Sequence, residues 1–253
     1  GYYGSIFRDK SSALSWQNPY TGAWGADPAG TAANYPNGYG QLALPPDNQF
    51  HQLNASAGYP YSQDTRISGS FSIGRGTQDE SFLPYSVNHV AAIPLPRNSL
   101  DGEIITTHAD LRFSSRLTPK LSFTAAWRYD DRDNKTPQAN YYYIGGDSQA
   151  QKTTYRTNLP VSSTKQKLSA DLAYRLSMNT KLKLDYAYDH YSYDYLAVSR
   201  ESEHTLKAGV NHRFGDTVSG GLSYAYSDRT TSDYDAGVPF RESFDPAGWP
   251  NDG

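Results

Sequence analysis

Histidines and carboxylates are the side chains here that could hold a metal or move a proton, and their spacing decides whether they do. The histidines at 51, 89, 108, 190, 204 and 212 (His51, His89, His108, His190, His204, His212) are scattered without ligand spacing. Adjacent carboxylates occur at Asp79-Glu80 and Asp130-Asp131. The run RYDDRDN, from Arg128 to Asn134, looks like a calcium loop but lacks the D-x-[DN]-x-[DN]-G register that wraps the ion. No nucleophile–base spacing, H-E-x-x-H, P-loop or G-x-S-x-G is present. Cys is absent, which excludes disulfides, thiolate zinc sites, thiol catalysis and C-x-x-C-H haem attachment. The chain is expected not to be an enzyme, and to carry no cofactor of its own.

The charged residues instead follow a period of two. From Ile105 the chain alternates Ile105, Thr107, Ala109, Leu111, Phe113 with Thr106, His108, Asp110, Arg112, Ser114. After Thr118-Pro119-Lys120 the alternation resumes, with Leu121, Phe123, Ala125, Trp127 against Ser122, Thr124, Ala126, Arg128 and Asp130. Successive side chains of a strand point to opposite faces, so each strand has one apolar and one polar face. Strands of roughly ten residues joined by a minimal turn are the signature of a membrane-spanning hairpin; soluble strands run to about half that length. Three more hairpins obey the rule, at 50–75, 165–190 and 204–226, with turns expected at 62–64, 118–120, 177–179 and 215–217. Longer loops are expected at 8–48, 77–103, 131–163 and 228–253. The first of these is rich in Gly, Pro and aromatics without a sustained period, and reads as a variable surface loop or a docking surface.

The fold class that follows is all-β, an antiparallel up-and-down transmembrane β-barrel, with residues 1–253 forming a single outer-membrane barrel segment. The lipid-facing set is Leu53, Ile67, Phe71, Leu111, Phe113, Leu121, Phe123, Trp127, Leu168, Leu172, Leu182, Leu184, Leu206, Val210, Leu222 and Tyr224. The lumen-facing set, a candidate partner contact, is Arg66, His108, Asp110, Arg112, Arg116, Arg128, Asp130, Lys167, Asp171, Arg175, Lys183, Asp185, Lys207 and Arg213. A narrow barrel fills its interior with side chains, so this many long charged groups favours a wide lumen. They either solvate the wall or meet an occupant. The chain opens in what reads as a strand end and stops at Asn251-Asp252-Gly253, so part of a larger barrel, with edges that do not close on each other, is expected.

Composition is compatible with this reading. The 253 residues are 37% hydrophobic with 22 Tyr, and no apolar run reaches the ~18 residues a transmembrane helix needs. The mean hydropathy of −0.73 does not exclude a barrel, because half of every strand is polar. A net charge of −3 argues against nucleic acid as a partner.

Several ordered motifs carry a family resemblance. PDNQFHQL (46–53), TQDESFLPYS (77–86), LPRNSLDG (95–102), THADLRFSSRLTPKLSFTAAWRYDDRDNKTP (107–137) and TKQKLSADLAYRL (164–176) resemble the MtrB/PioB family, outer-membrane β-barrels associated with decahaem c-type cytochromes. The resemblance implies a bacterial outer-membrane location. It also implies a structural role, sheathing a periplasmic multihaem c-type cytochrome in the lumen for extracellular electron transfer, with the haem carried by that partner. An extracellular multihaem cytochrome at the loops and outer-membrane lipid around the wall complete the implied partners. The rivals are a general porin or solute channel, which needs the same exterior, and a small barrel acting as an adhesin or enzyme through its loops.

Overall fold

In the computed structural model, residues 1–17, 24–26, 33–35, 39–85, 87, 94–144 and 150–241 are described. Nine strands form one antiparallel sheet. They are β1 (Tyr2–Phe7), β6 (Asn48–Pro60), β7 (Thr65–Gln78), β8 (Gly102–Thr118), β9 (Leu121–Asn134), β12 (Ser163–Arg175), β13 (Thr180–Tyr193), β14 (Arg200–Phe214) and β15 (Val218–Thr231), hydrogen-bonded in that order. β1 and β15 are the two ends of the order, and no pairing joins them among the described residues. Neighbours are consecutive except where a long excursion intervenes, which is the up-and-down connectivity the hairpin pattern predicts.

Register turns the alternation of each strand into two continuous surfaces. Leu53 pairs with Ile73 and Phe71 with Ala109. Leu111 then pairs with Trp127, Trp127 with Leu168 and Leu168 with Tyr188. Further along, Leu182 pairs with Val210 and Val210 with Leu222. A slip of one residue at any ladder would turn that strand's apolar set to the other side. No second layer covers the apolar surface among the described residues. Leu53, Leu111, Leu206 and Leu222 are 61%, 51%, 49% and 76% exposed. The chain exposes 17210 Å², against about 11,000 Å² for a compact monomer of its mass. An apolar face of this extent is stable only against a nonaqueous neighbour.

The height of the apolar band fits a membrane. Along β12 and the residue that follows it the band runs from Leu168 to Leu176, and on β9 from Leu121 to Tyr129. Eight residue steps at ~3.4 Å, tilted by ~40°, reach about 21 Å, close to the ~25 Å apolar band of outer-membrane barrels. Among the described residues no helix is long and apolar enough to cross a membrane.

The strands outrun the alternation at their loop ends. β7 continues to Gln78, β9 to Asn134 and β15 to Thr231, while β8, β12 and β14 begin at Gly102, Ser163 and Arg200. The loops expected at 77–103, 131–163 and 228–253 are correspondingly shorter. The cause is physical: beyond the lipid both faces meet water, so hydrophobic alternation lapses while the backbone ladder continues.

The loops also hold structure that the sequence pattern does not reveal. The 8–48 stretch contains β2 (Ala13–Gln17) paired with β5 (Tyr39–Ala43), and β3 (Trp24–Ala26) paired with β4 (Ala33–Tyr35). The Trp16 indole lies across Gly40 directly opposite, where a Cβ would collide with it. Five-residue strands are too short for a period to stand out. Within 131–163, β10 (Asn140–Ile144) pairs with β11 (Ala150–Thr157). This hairpin meets the 77–103 loop: the Phe82 and Tyr141 rings meet edge-on at 5.9 Å, and the Tyr142 amide donates to the Tyr85 hydroxyl at 3.2 Å. Arg97 donates to the Pro137 carbonyl at 2.6 Å. After β15 comes one short helix, α1 (Val238–Arg241). The expected loop to 253 lies outside the described residues from 242 onward.

The turns are compact. β8 runs to Thr118, leaving Pro119-Lys120 as the link, and the Thr118 hydroxyl accepts from the Leu121 amide at 3.1 Å. The other turns fall at 61–64, 176–179 and 215–217, with Gly215 at φ +70°, a left-handed conformation that glycine adopts without steric cost. In a meander all four lie at one end of the sheet.

Candidate functional site

The polar surface opposite the apolar band is the candidate site. Its charges reach one another because cross-strand neighbours sit ~5 Å apart. His108 faces Asp130, and its Nδ1 lies 2.6 Å from the carboxylate. Asp110 faces Arg128, 3.8 Å away. The Lys167 ammonium donates to both oxygens of Asp189 at 2.9 and 3.0 Å. Arg229 of β15 bridges Glu203 at 2.5 Å and Glu201 at 3.2 Å, both on β14. These pairs occupy the middle and loop half of the wall.

Glu201, Glu203, Arg229, Arg132 and Tyr191 share this face, yet the sequence sets above omit them. They lie past the apolar band, where the alternation that would reveal them has ended. Extending the parity of Thr205 and Lys207 back to Arg200 would have found the two glutamates. Arg229 holds the Glu203 carboxyl below the usual carboxylate range through its hydrogen bond. A cleft of about 380 Å³ opens here between Lys167, Asp189, Tyr191, Tyr193 and this triad. The Tyr191 and Tyr193 rings lie parallel, 1° apart in plane, with centroids 6.4 Å apart.

The turn half of the wall is different. Asp171 stands directly opposite Asp185, and Asp185 opposite Lys207. Below them Arg175 stands directly opposite Lys181, a like-charge pair. Arg116 meets Asp64 at 3.6 Å and Arg213 meets Asp216 at 3.9 Å, both through well-exposed groups. Arg66 shares this face next to Gly58, and Arg112 and Lys183 share it by parity with Arg116 and Lys181. The wall is thus mixed in sign at the loop end and predominantly basic at the turn end.

All fourteen lumen-facing residues named from the sequence therefore share one face by register, and the sixteen lipid-facing ones share the other. The histidines divide. His108 is on the polar face, whereas His51, His190, His204 and His212 share parity with the apolar band and lie towards its margins. There they bond hydroxyls: His51 to Tyr2 at 2.6 Å, His190 to Ser202 at 2.8 Å, His204 to Tyr186 at 2.8 Å, and His212 to Thr180 at 2.8 Å. His89 lies outside the described residues. Among the described residues no group of three or more His, Cys, Asp or Glu is placed to hold a metal ion. The arrangement can solvate a pore wall or meet a polar protein surface.

Comparison with known proteins gives the same architecture a lineage. Residues 1–247 match the family described as "Putative outer membrane beta-barrel porin, MtrB/PioB". The sequence is 24% identical over 235 residues to the outer membrane protein MtrB of Shewanella baltica, covering 93% of this chain and 31% of that protein. Among solved structures, in-vitro folded OmpT of Vibrio cholerae aligns over 94% of this chain and 57% of its own, at 13% identity and a TM-score of 0.43. A loop-deletion mutant of the same protein aligns over 92% and 58%, at 11% identity and 0.43.

Proposed function

The chain belongs to the MtrB/PioB family of outer-membrane β-barrels, and from that premise we propose that it forms part of a wall sheathing a multihaem c-type cytochrome for electron transfer across the outer membrane. The observation that carries the proposal is the polar wall. Long charged side chains recur along β8, β9, β12, β13 and β14, many in cross-strand pairs. Such a wall does not suit a narrow interior plugged by its own side chains; it suits a wide lumen bounded by water or by another protein. With no Cys, these residues offer no C-x-x-C-H haem attachment, and this reading assigns the haems to the partner. The role is structural rather than catalytic. The apolar exterior insulates, the polar interior contacts the partner, and the packed loop cluster around Phe82 and Tyr141 offers a rim to an extracellular cytochrome.

Charge reversal of Arg112, Arg116 and Arg128 together tests the sheath in the full-length protein. Each exposed contact is worth only ~0–1 kcal/mol, so the three are changed at once. Weakened co-purification of the multihaem cytochrome, and slower reduction of a redox dye inside proteoliposomes, are expected. The porin reading, which the family description favours, requires an unoccupied wild-type barrel that passes small sugars with no haem protein attached. That result would displace the sheath.

A further inference from the structure

Near the turn end of the polar wall, Arg116, Lys120, Arg175 and Lys181 line one cleft of about 260 Å³, together with Thr118 and Ser122. No carboxylate lines it. Arg175 and Lys181 face each other across β12 and β13, and neither has an ion-pair partner among the described residues. Like charges directly opposite on a sheet destabilise it. Like charges also stand opposite elsewhere in the wall, but there opposite charges are at hand: Arg128 and Lys167 pair with Asp110 and Asp189, Glu203 pairs with Arg229, and Asp185, opposite Asp171, has Lys207 on its other side. Here the sheet keeps the repulsion and adds two further cations from the neighbouring hairpin. The backbone holds them together: the Arg175 amide donates to the Lys120 carbonyl at 2.7 Å, joining the turn between β8 and β9 to the end of β12.

We propose that this cleft is an oxyanion site, taking a carboxylate or phosphate group on the lumen side of the turn-end mouth. Two guanidinium forks and two ammonium groups around a cleft that no carboxylate lines match such groups, with only Arg116 of the four ion-paired, to Asp64 outside the lining, and charge-assisted hydrogen bonds supply the affinity. The hydroxyls of Thr118 and Ser122 add neutral polar groups to the same lining. The site stands on its own geometry and goes beyond the sheath reading. Its ligand comes either from carboxylates on a protein in the lumen or from free polyanions at the mouth.

The probe is pyrophosphate, titrated calorimetrically into the full-length protein in neutral detergent at low salt. R175Q/K181Q is expected to weaken binding by at least about tenfold, and K120Q, altered in a solvent-exposed turn, by a few-fold. Without ligand, the double variant should unfold at the same temperature as wild type or higher, because a repulsion has been removed. Pyrophosphate should raise the midpoint of wild type only. Barrel carrying a lumen protein and barrel freed of it by high salt separate the two sources. Loss of pyrophosphate binding in the occupied form assigns the cleft to the occupant's carboxylates, and unchanged binding assigns it to free anions. Equal affinity in wild type and double variant overturns the site. So does a double variant that is less stable than wild type without ligand, since its cations would then be bonded within the wall.

Discussion

Leu172 and Ser169 lie on one strand, three residues apart and on opposite faces, and an arginine at each separates the two surfaces energetically. Leu172 sits at the centre of the Leu168–Leu176 band, flanked by Phe123 and Leu184 in register. It is four steps from either end, roughly 10 Å from each margin after tilt. Arginine on the lipid face at the bilayer midplane costs ~2–4 kcal/mol. Snorkelling offers little relief, because a side chain of this length reaches only part of that distance. Ser169 faces the other way, between Ala126 and Ala187, so an arginine there points into a wet lumen beside small neutral neighbours. Its cost should stay within ~0.5 kcal/mol. The assay is equilibrium unfolding by urea of the full-length barrel in phospholipid vesicles, followed by tryptophan emission and heat-modifiable gel mobility. Equal losses for Leu172→Arg and Ser169→Arg, or a larger loss at Ser169, would refute the assignment of faces.

Two further outcomes follow from side-chain contacts. Glu203 has its carboxyl held below the usual range by Arg229, so the stabilisation this pair gives is present above the ordinary glutamate value near ~4.3 and is lost as pH falls through the lowered folded value. Thermal unfolding followed from neutral to acid pH should show that acid limb in wild type and a flatter one in Glu203→Gln. At Gly74 a Cβ would sit 2.5 Å from the Phe50 ring and 2.7 Å from the Thr106 hydroxyl. Gly74→Ala should therefore lower stability in the same urea assay by about 1 kcal/mol, with the loss reduced when Phe50 is also shortened to Leu.

The parts legible in the sequence are those where one face meets lipid. There a single variable, apolar or polar, fixes strand, register and facing together, as at Leu111–Arg112 and Leu184–Asp185. Legibility ends where the environment becomes the same on both faces. Glu201, Glu203 and Arg229 belong to the polar wall, but their neighbours Arg200, Ser202 and Asp228 are polar too, so no alternation marks them. The β10–β11 hairpin and the β2–β5 pair fall in the same category. They are short ladders held by local contacts such as Trp16 on Gly40, which a five-residue window does not resolve. The pairing of charges was equally hidden, since Lys167 with Asp189 and Arg175 with Lys181 depend on a register known only once the ladders are laid out. Facing came from each strand by itself; the charge pattern needed two.

The continuation of the strands beyond the lipid has a mechanical consequence. β9, β13 and β15 each extend five residues past the last outward aromatic, Tyr129, Tyr188 and Tyr226 respectively. At ~3.4 Å per residue and ~40° tilt, that is a parapet about 13 Å tall, stiffened by hydrogen bonds rather than by burial. A protein seated on it is carried clear of the lipid headgroups. The parapet is also the part most open to water on both sides. Its amides should exchange by local fraying from the top down, while those level with the lipid wait for rarer opening. The wall thus has two grades of stiffness along one unbroken set of strands, firm where it crosses the membrane and yielding where it meets whatever comes from outside.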